Sequence, residues 1–188
     1  MAERHATRKF IAGMKRSPSI QFSQPGEDPR TQYGAICWRK SAAVLDVLLI
    51  TSRETGRWVI PKGWPMKGVG PAVAAAREAW EEAGVEGKLS GACLGVYSYQ
   101  KILPKDQSIP CVVAIYGLKV EKLARRYPEQ KQRQRNWFSA NEAAGLVAEP
   151  ELRDLLLALD DGRLDLTCAA KNKPSGSSET ADAATGSR

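Results

Sequence analysis

The segment from Gly70 to Gly84 constrains the fold of this 188-residue chain more than any other part of it. Gly70-Pro71 predicts the start of a helix, because proline is favoured at the first helical position, and Gly84 predicts its end. Two further helices are predicted at 140–147 and 149–160. Stretches rich in β-branched and large apolar residues predict strands at 33–40, 42–53, 57–61, 91–100, 110–120 and 135–139. This order of elements predicts a single α/β domain.

The ends of the chain differ in composition from its middle. Residues 1–30 lack sustained periodicity and are predicted to form a flexible N-terminal arm, and the polar, small-residue-rich residues 168–188 are predicted to be a disordered tail. The domain is therefore expected at 31–167. No apolar run reaches the ~18 residues of a membrane span, and no apolar segment follows the basic N-terminus as in a secretory signal. We expect a cytoplasmic protein that does not contact membranes.

The residue types that are present limit the kinds of metal site and catalytic site that the chain can form. The four cysteines are far apart and the one histidine is His5, in the predicted arm. Thiolate metal sites, zinc sites and histidine-based triads therefore have no support. The net charge is +7, but residues 31–167 carry only +3 of it, which does not favour a basic RNA-binding domain.

The predicted helix 71–83 carries an unusual density of carboxylates. Glu78, Glu81 and Glu82 fall on one face, because spacings of three and four residues return to the same side of a helix. Such a cluster is self-repelling unless a cation compensates it, and Mg²⁺ or Mn²⁺ prefers these oxygen ligands. The opposite face is predicted to dock on the sheet through Ala72, Val73, Ala76, Ala79, Trp80 and Ala83.

The stretch "GWPMKGVGPAVAAAREAWEEAGV", residues 63–85, resembles the Nudix box, G-x5-E-x7-R-E-U-x-E-E-x-G-U. Ala79 stands at the first apolar position of the box. The residues that match its fixed positions are Gly63, Arg77, Glu78, Glu81, Glu82, Gly84 and Val85. The resemblance covers residues 31–160 and implies the Nudix fold, an α/β/α sandwich around a mixed β-sheet. It also implies hydrolysis of a nucleoside diphosphate, or of another diphosphate, that is linked to a further chemical group.

The resemblance also implies roles for individual residues. Glu81 and Glu82 would be metal ligands, and the backbone carbonyl of Gly63 would join them. Glu78 would be a further ligand or the base that activates water, and Arg77 would orient the acidic cluster. The catalytic set is thus expected to be Glu78, Arg77 and Glu81, with Mg²⁺ or Mn²⁺ as the cofactor.

One residue departs from the box. Val69 stands where the family has a loop glutamate, and no acidic residue occurs between Glu54 and Glu78. Asp106, Glu129 and Glu142 are candidates to replace the missing carboxylate. Our hypothesis is that the three helix glutamates suffice.

Basic residues near the box are candidates for binding the substrate. Arg53, Arg57, Lys62 and Lys67 would clamp phosphates if the strand ends and the loop converge on the acidic face. A longer basic run from Lys119 to Arg135, which includes Arg133, could also receive a polyphosphate. Trp64 or Tyr99 could stack on an adenine or pack in the core.

The substrate class stays open at this point. Residues 51–63, 74–89 and 135–143 resemble the branch of diphosphoinositol polyphosphate and diadenosine polyphosphate hydrolases, which implies a small-molecule polyphosphate substrate. The alternatives are a nucleotide-pool or RNA 5′-end pyrophosphohydrolase and a non-catalytic Nudix module that binds a ligand. RNA would then be a partner only as a 5′-end substrate, and the oligomeric state is left open.

Overall fold

The computed structural model describes residues 28–41, 44–103 and 107–166. Its strands and helices follow one another in the predicted order. In chain order they are β1 (Arg30–Ser41), β2 (Val44–Thr51), β3 (Trp58–Val59), β4 (Lys62–Gly63), α1 (Pro71–Ala83), β5 (Val85–Ile102), β6 (Ser108–Leu123), β7 (Arg135–Ser139), α2 (Ala140–Leu146) and α3 (Pro150–Asp160).

The strands of the described residues form one mixed sheet of seven strands in the order β3-β2-β1-β6-β5, with β4 paired to β1 and β7 paired to β2. β1 and β6 run parallel, and every other pairing is antiparallel. Parallel strands need a long crossover connection. Here that connection contains α1, so the acidic helix lies across the centre of the sheet.

Helices cover both faces of the sheet. Consecutive residues of β1 point to opposite sides: Ala35 and Cys37 pack under α1, whereas Ile36 and Trp38 pack under α2 and α3. The middle of β1, from Ala35 to Trp38, is covered on both sides and is accordingly a continuous apolar run without alternating polar residues. This confirms the predicted α/β/α sandwich around a mixed sheet.

Helix α1 docks on a different face from the one predicted. Val73 and Trp80 were assigned to the buried side but are 55% and 39% exposed, whereas Ala75 is fully buried and Glu82 is 7% exposed. The docked face and the acidic face therefore overlap. The cause is that small alanines allow a close approach to the sheet, while polar groups of the protein pair with the carboxylate of Glu82 inside.

Two strand predictions also need correction. The expected strand at 57–61 is replaced by two short strands: β3 pairs with β2, and β4 pairs with β1. Pro61 lies between them and has no N–H group to donate to a neighbouring strand, so the pairing is interrupted there. The expected strand at 91–100 begins earlier, at Val85, directly after Gly84 ends α1 with a φ of 65°.

The predicted chain ends are largely outside the described residues, so the boundaries of the arm at 1–30 and of the tail at 168–188 stay predictions. None of the helices within the described ranges is both long and apolar enough to cross a membrane.

Candidate active site

A cleft of about 310 Å³ opens between the β3–β4 region, the loop that leads into α1, and the C-terminal end of β5. Charged and aromatic side chains dominate its wall, which suits a polar, phosphorylated ligand better than an apolar one. They are Arg53, Glu54, Arg57, Lys62, Trp64, Glu78, Glu82, Tyr99, Lys101, Glu129 and Arg133.

Glu78 reaches the cleft because Gly63 has no side chain. A Cβ atom on Gly63 would lie 2.0 Å from the carboxyl carbon of Glu78, so the carboxyl group occupies the space that any other residue would fill. Burial, together with the nearby charges of Glu82, Glu81 and Glu129, raises the pKa of Glu78 to about 7. The structure thus explains why the box requires a glycine 15 positions before this glutamate.

Glu82 lies deeper than Glu78 and is held on two sides. Its Oε2 accepts a hydrogen bond of 3.0 Å from the backbone N–H of Lys62, and its Oε1 pairs with Arg133. Burial raises the pKa of Glu82, and the charge of Arg133 and the hydrogen bond from Lys62 oppose that rise. Strand β4 therefore ties the helix carboxylate to the sheet.

Arg133 links two acidic residues from different parts of the chain. Its side chain is only 8% exposed, donates to Glu129 Oε2 at 2.6 Å, and contacts Glu82 as well as the carbonyl of Thr51 at 3.0 Å. The N–H of Glu129 in turn donates to the carbonyl of Glu81 at 3.0 Å. The segment between β6 and β7 is thereby fastened to the C-terminal end of α1, which brings Glu129 into the cleft.

The structure distinguishes two of the three candidates that could replace the missing loop carboxylate. Glu129 lines the cleft. Glu142 forms a capping box with Ser139 at the start of α2, and its hydrogen bonds to Ser139 lower its pKa. Asp106 lies outside the described residues. Of the two candidates in the described part of the chain, Glu129 is the one that lines the cleft with Glu78 and Glu82.

The predicted site residues divide into two groups. Gly63, Glu78 and Glu82 line the cleft together with the basic residues Arg53, Arg57 and Lys62. Arg77, Glu81 and Lys67 do not line it. Arg77 pairs with Glu81 at 3.0 Å on the outer side of α1, as the four-residue spacing predicts, and Lys67 is exposed in the loop.

Lys101, Gln32 and Glu149 were missed by the sequence analysis. Lys101 lies 6.0 Å from the ring centre of Trp64 at the mouth of the cleft, and Gln32 accepts a 2.7 Å hydrogen bond from the hydroxyl of Tyr99. Glu149 pairs with Arg57 at 3.3 Å. None of the three stands in a motif. Gln32 lies on β1, Lys101 on β5 and Glu149 at the start of α3, and the packing that brings these elements together is not visible in a single sequence.

The acidic residues of the cleft fit a hard divalent cation by their chemistry. They offer the carboxylate oxygens that Mg²⁺ and Mn²⁺ prefer as ligands. Over the described part of the chain, however, no three acidic, histidine or cysteine side chains are grouped closely enough to hold an ion. Glu81 and Glu82 are each turned toward an arginine.

A family model for the NUDIX domain matches residues 28–159. The chain is 35% identical over 121 residues to Nudix hydrolase 16, mitochondrial, of Arabidopsis thaliana, covering 63% of this chain and 67% of that protein. It is 32% identical over 132 residues to human diphosphoinositol polyphosphate phosphohydrolase 3-alpha, covering 69% and 76%. A binary complex of C. elegans Ap4A hydrolase aligns with a TM-score of 0.55 at 21% identity over 71% of this chain and 97% of that chain. At that identity, the structural match concerns the fold alone.

Proposed function

This chain belongs to the Nudix hydrolase family and is a phosphoanhydride hydrolase, and from this premise we propose that it is a metal-dependent enzyme acting on a dinucleoside polyphosphate or a diphosphoinositol polyphosphate. Human diphosphoinositol polyphosphate phosphohydrolase 3-alpha supports the second class of substrate. The RNA 5′-end and nucleotide-pool alternatives share the same reaction centre and differ in the group attached to the phosphates.

The observation that supports the proposal is that one cleft contains both the negatively charged and the positively charged side chains that the reaction needs. Glu78, Glu82 and Glu129 line it together with Arg57 and Lys62. A polyphosphate requires cations along its length, and its hydrolysis requires carboxylates beside the scissile phosphorus to hold a metal or to take a proton from water. The cleft satisfies both requirements.

The proposed ligands of Mg²⁺ or Mn²⁺ are Glu78, Glu81, Glu82 and the carbonyl of Gly63, with Glu129 in place of the absent loop glutamate. When bound, the metal would polarise a phosphoryl oxygen and lower the pKa of water. Glu78 would be either a further ligand or the base that takes the proton from the attacking water; burial and the neighbouring carboxylates raise its pKa to about 7 without a metal, and a bound cation would lower it. Arg77 would hold the carboxylate of Glu81 in position through the ion pair between the two residues.

The basic side chains bind and orient the substrate. Arg57 and Lys62 would hold the phosphates that flank the scissile bond, Arg53 would extend this clamp, and Lys67 would contact the distal end of the substrate from the loop. Trp64 is 38% exposed beside Lys101, a position in which its ring could stack on a nucleobase. The cytoplasm is the proposed compartment, in agreement with the free thiols of Cys37, Cys93 and Cys111.

The test is a panel of dinucleoside polyphosphates, nucleoside triphosphates, capped and triphosphorylated RNA and inositol pyrophosphates, assayed with Mg²⁺, with Mn²⁺ and with EDTA. We expect turnover with a divalent metal and none with EDTA. Glu82→Gln should lower kcat at least about hundredfold, the size typical of losing one preorganised electrostatic group.

The matched control is Glu86→Gln. Glu86 is an exposed glutamate that pairs with Lys122 on the surface and does not line the cleft, so we expect it to keep the rate of the wild type. A full rate for Glu82→Gln, or equal rates with and without metal, would refute the proposed mechanism.

A further inference from the structure

Trp64 lines the cleft and is not used by the hydrophobic core. Three of the five tryptophans, Trp38, Trp58 and Trp137, belong to the two core clusters or pack against them. Among the described residues, Trp64 and Trp80 belong to neither cluster, and they are 38% and 39% exposed. Of these two, Trp64 is the one whose side chain is accessible from the cleft.

Other apolar side chains line the cleft together with Trp64. Pro65 is exposed, Ile102 is 60% exposed, and Met66 is partly buried. Single exposed apolar side chains are common on protein surfaces, but several around one cleft indicate a ligand-binding region. This part of the cleft therefore offers apolar contacts that a ligand consisting only of phosphates cannot use.

The loop that carries Trp64 has a defined conformation. It follows strand β4 directly, and Pro65 restricts the backbone of the preceding residue. The N–H of Val69 donates a 3.1 Å hydrogen bond to the carbonyl of Met66, and Gly68 within this turn has a φ of 75°, which glycine adopts without strain. A side chain on such a loop loses little freedom when a ligand binds to it.

Lys101 connects the exposed ring with the residues proposed to bind phosphates. Its Nζ lies 6.0 Å from the ring centre of Trp64, which is the outer limit of a cation–π contact and leaves the ring available to a ligand. Burial lowers the pKa of Lys62, and the charge of Lys101 lowers it further, so the two ammonium groups are near each other. A nucleotide joins a flat base to a phosphate through one sugar, and Trp64 and Lys101 offer a flat ring and a cation side by side.

The charges of the cleft are nearly balanced. Among the described residues, five lysine and arginine side chains and four carboxylates line it, namely Arg53, Arg57, Lys62, Lys101, Arg133, Glu54, Glu78, Glu82 and Glu129. A ring that carries a phosphate on every carbon is attracted most strongly where positive charges are in clear excess. The near balance suits better a linear polyphosphate that arrives with its own divalent cations.

We propose that Trp64 is the stacking surface of a nucleobase subsite, with Lys101 and Ile102 beside it, and that the enzyme therefore prefers a nucleoside polyphosphate to a diphosphoinositol polyphosphate. A base gains free energy by stacking on an indole ring, whereas a fully phosphorylated inositol has no flat apolar face to place there. The inference rests on the proposed function, because it assumes that the polyphosphate binds in this cleft.

The experiment compares the wild type with Trp64→Ala and Trp64→Phe. For each protein, kcat and KM are measured with Mg²⁺ on diadenosine tetraphosphate and on 5-diphosphoinositol pentakisphosphate. We expect the wild type to prefer the dinucleotide. In Trp64→Ala, the KM for the dinucleotide should rise about tenfold, which corresponds to about 1.4 kcal/mol, with kcat little changed, because the base is held equally in the ground state and the transition state. The KM for the inositol substrate should stay the same, and Trp64→Phe, which keeps an aromatic ring, should restore most of the affinity for the dinucleotide.

Two ligands that resist hydrolysis measure the contribution of the base directly. α,β-Methylene-ADP and methylenediphosphonate share the same phosphorus chain, and only the first carries adenosine. Calorimetry with Mg²⁺ should show that the wild type binds the nucleotide more tightly. Trp64→Ala should weaken the affinity for the nucleotide about tenfold and leave that for methylenediphosphonate unchanged.

The matched control is Trp80→Ala. Trp80 has nearly the same exposure as Trp64 but lies on α1 and does not line the cleft, so this variant should behave as the wild type in both assays. If Trp64→Ala weakens the activity on both substrates in parallel, the residue only shapes the loop and the proposal is wrong. The proposal is equally wrong if Trp64→Ala leaves the KM for the dinucleotide and the affinity for α,β-methylene-ADP unchanged.

The two proposals fail in different ways. If the wild type hydrolyses none of the diphosphates with Mg²⁺ or Mn²⁺, the proposed function is refuted, while the calorimetric affinities for the two ligands still decide whether Trp64 binds a base. If the wild type is active but prefers the inositol pyrophosphate, the proposed function holds and the inference about the substrate class is refuted.

Discussion

The substitution Gly63→Ala tests whether the position of Glu78 matters, because it displaces the carboxyl group of this residue without removing it. The added Cβ would lie 2.0 Å from the carboxyl carbon of Glu78 and 2.1 Å from its Oε1, whereas ordinary contacts begin at 3.4 Å. The carboxyl group must therefore retreat by about 1.4 Å, and a displacement of about 1 Å at a reacting group can reduce the rate about hundredfold. We expect kcat to fall by at least that factor.

The fold should survive this change. The φ of Gly63 is not in the positive range, which contains Gly56, Gly68, Gly84 and Gly162, so alanine introduces no backbone strain. The backbone carbonyl of residue 63 is also retained, so a lost rate reports on Glu78. The assay is the initial rate on diadenosine tetraphosphate with Mg²⁺, together with the thermal unfolding midpoint of both proteins.

The matched control is Gly70→Ala in the same loop. Nothing lies within 4 Å of the Cβ position of Gly70, and its φ of −67° is ordinary for alanine. We expect the control to have the rate and the midpoint of the wild type. A fully active Gly63→Ala protein would show that Glu78 can leave its position without consequence, and the assignment of the cleft as the reaction centre would then be wrong.

Three further predictions concern stability. Arg133→Met should lower the free energy of unfolding by about 3–5 kcal/mol, because it removes the charged partner of the buried Glu82 and one of the two arginines that pair with Glu129; urea unfolding measures it, and an unchanged midpoint would contradict the bridging role. In EDTA, Glu78 binds its proton in the folded state with a pKa of about 7 against an ordinary value of 4.5, so its protonation stabilises the fold at low pH and this contribution is lost as pH rises through 7. Between about pH 4.5 and 7 the urea midpoint should therefore decline more steeply with pH for the wild type than for Glu78→Gln, and parallel pH profiles would argue against the shifted pKa. Ser139→Ala should cost about 1 kcal/mol through loss of the α2 cap with kcat unchanged, and a reduced kcat would show that α2 influences the cleft.

Local signals predicted the elements of the fold well, and contacts between distant residues account for the errors. Pro71 and Gly84 mark the ends of α1 because proline and glycine have specific backbone requirements there. The docked face of α1 was predicted wrongly because Val73 and Trp80 are more apolar than alanine. Hydrophobicity alone could not show that the sheet leaves room only for alanines, nor that the polar groups paired with Glu82 lie beneath the helix.

The residues of the candidate site divide in the same way, into those that local sequence spacing predicts and those that contacts between distant residues bring together. Glu78 and Glu82 are four residues apart on one helix, so their proximity follows from helical geometry. Arg133 belonged to a basic run that an exposed loop would explain equally well, and its ion pair with Glu82 joins residues 51 positions apart. Glu149 lies 92 positions from Arg57. Such pairs depend on the topology of the sheet, which one sequence does not contain.

The parallel pairing of β1 with β6 has a consequence for folding. Each residue of β1 from Arg30 to Trp38 pairs with a residue 81 positions later, and contacts between such distant residues slow folding because a long loop must close first. During synthesis, the two central strands cannot join until residue 119 has left the ribosome. The acidic helix lies within that loop, so we expect the recovery of catalytic activity on refolding to coincide with the slowest phase.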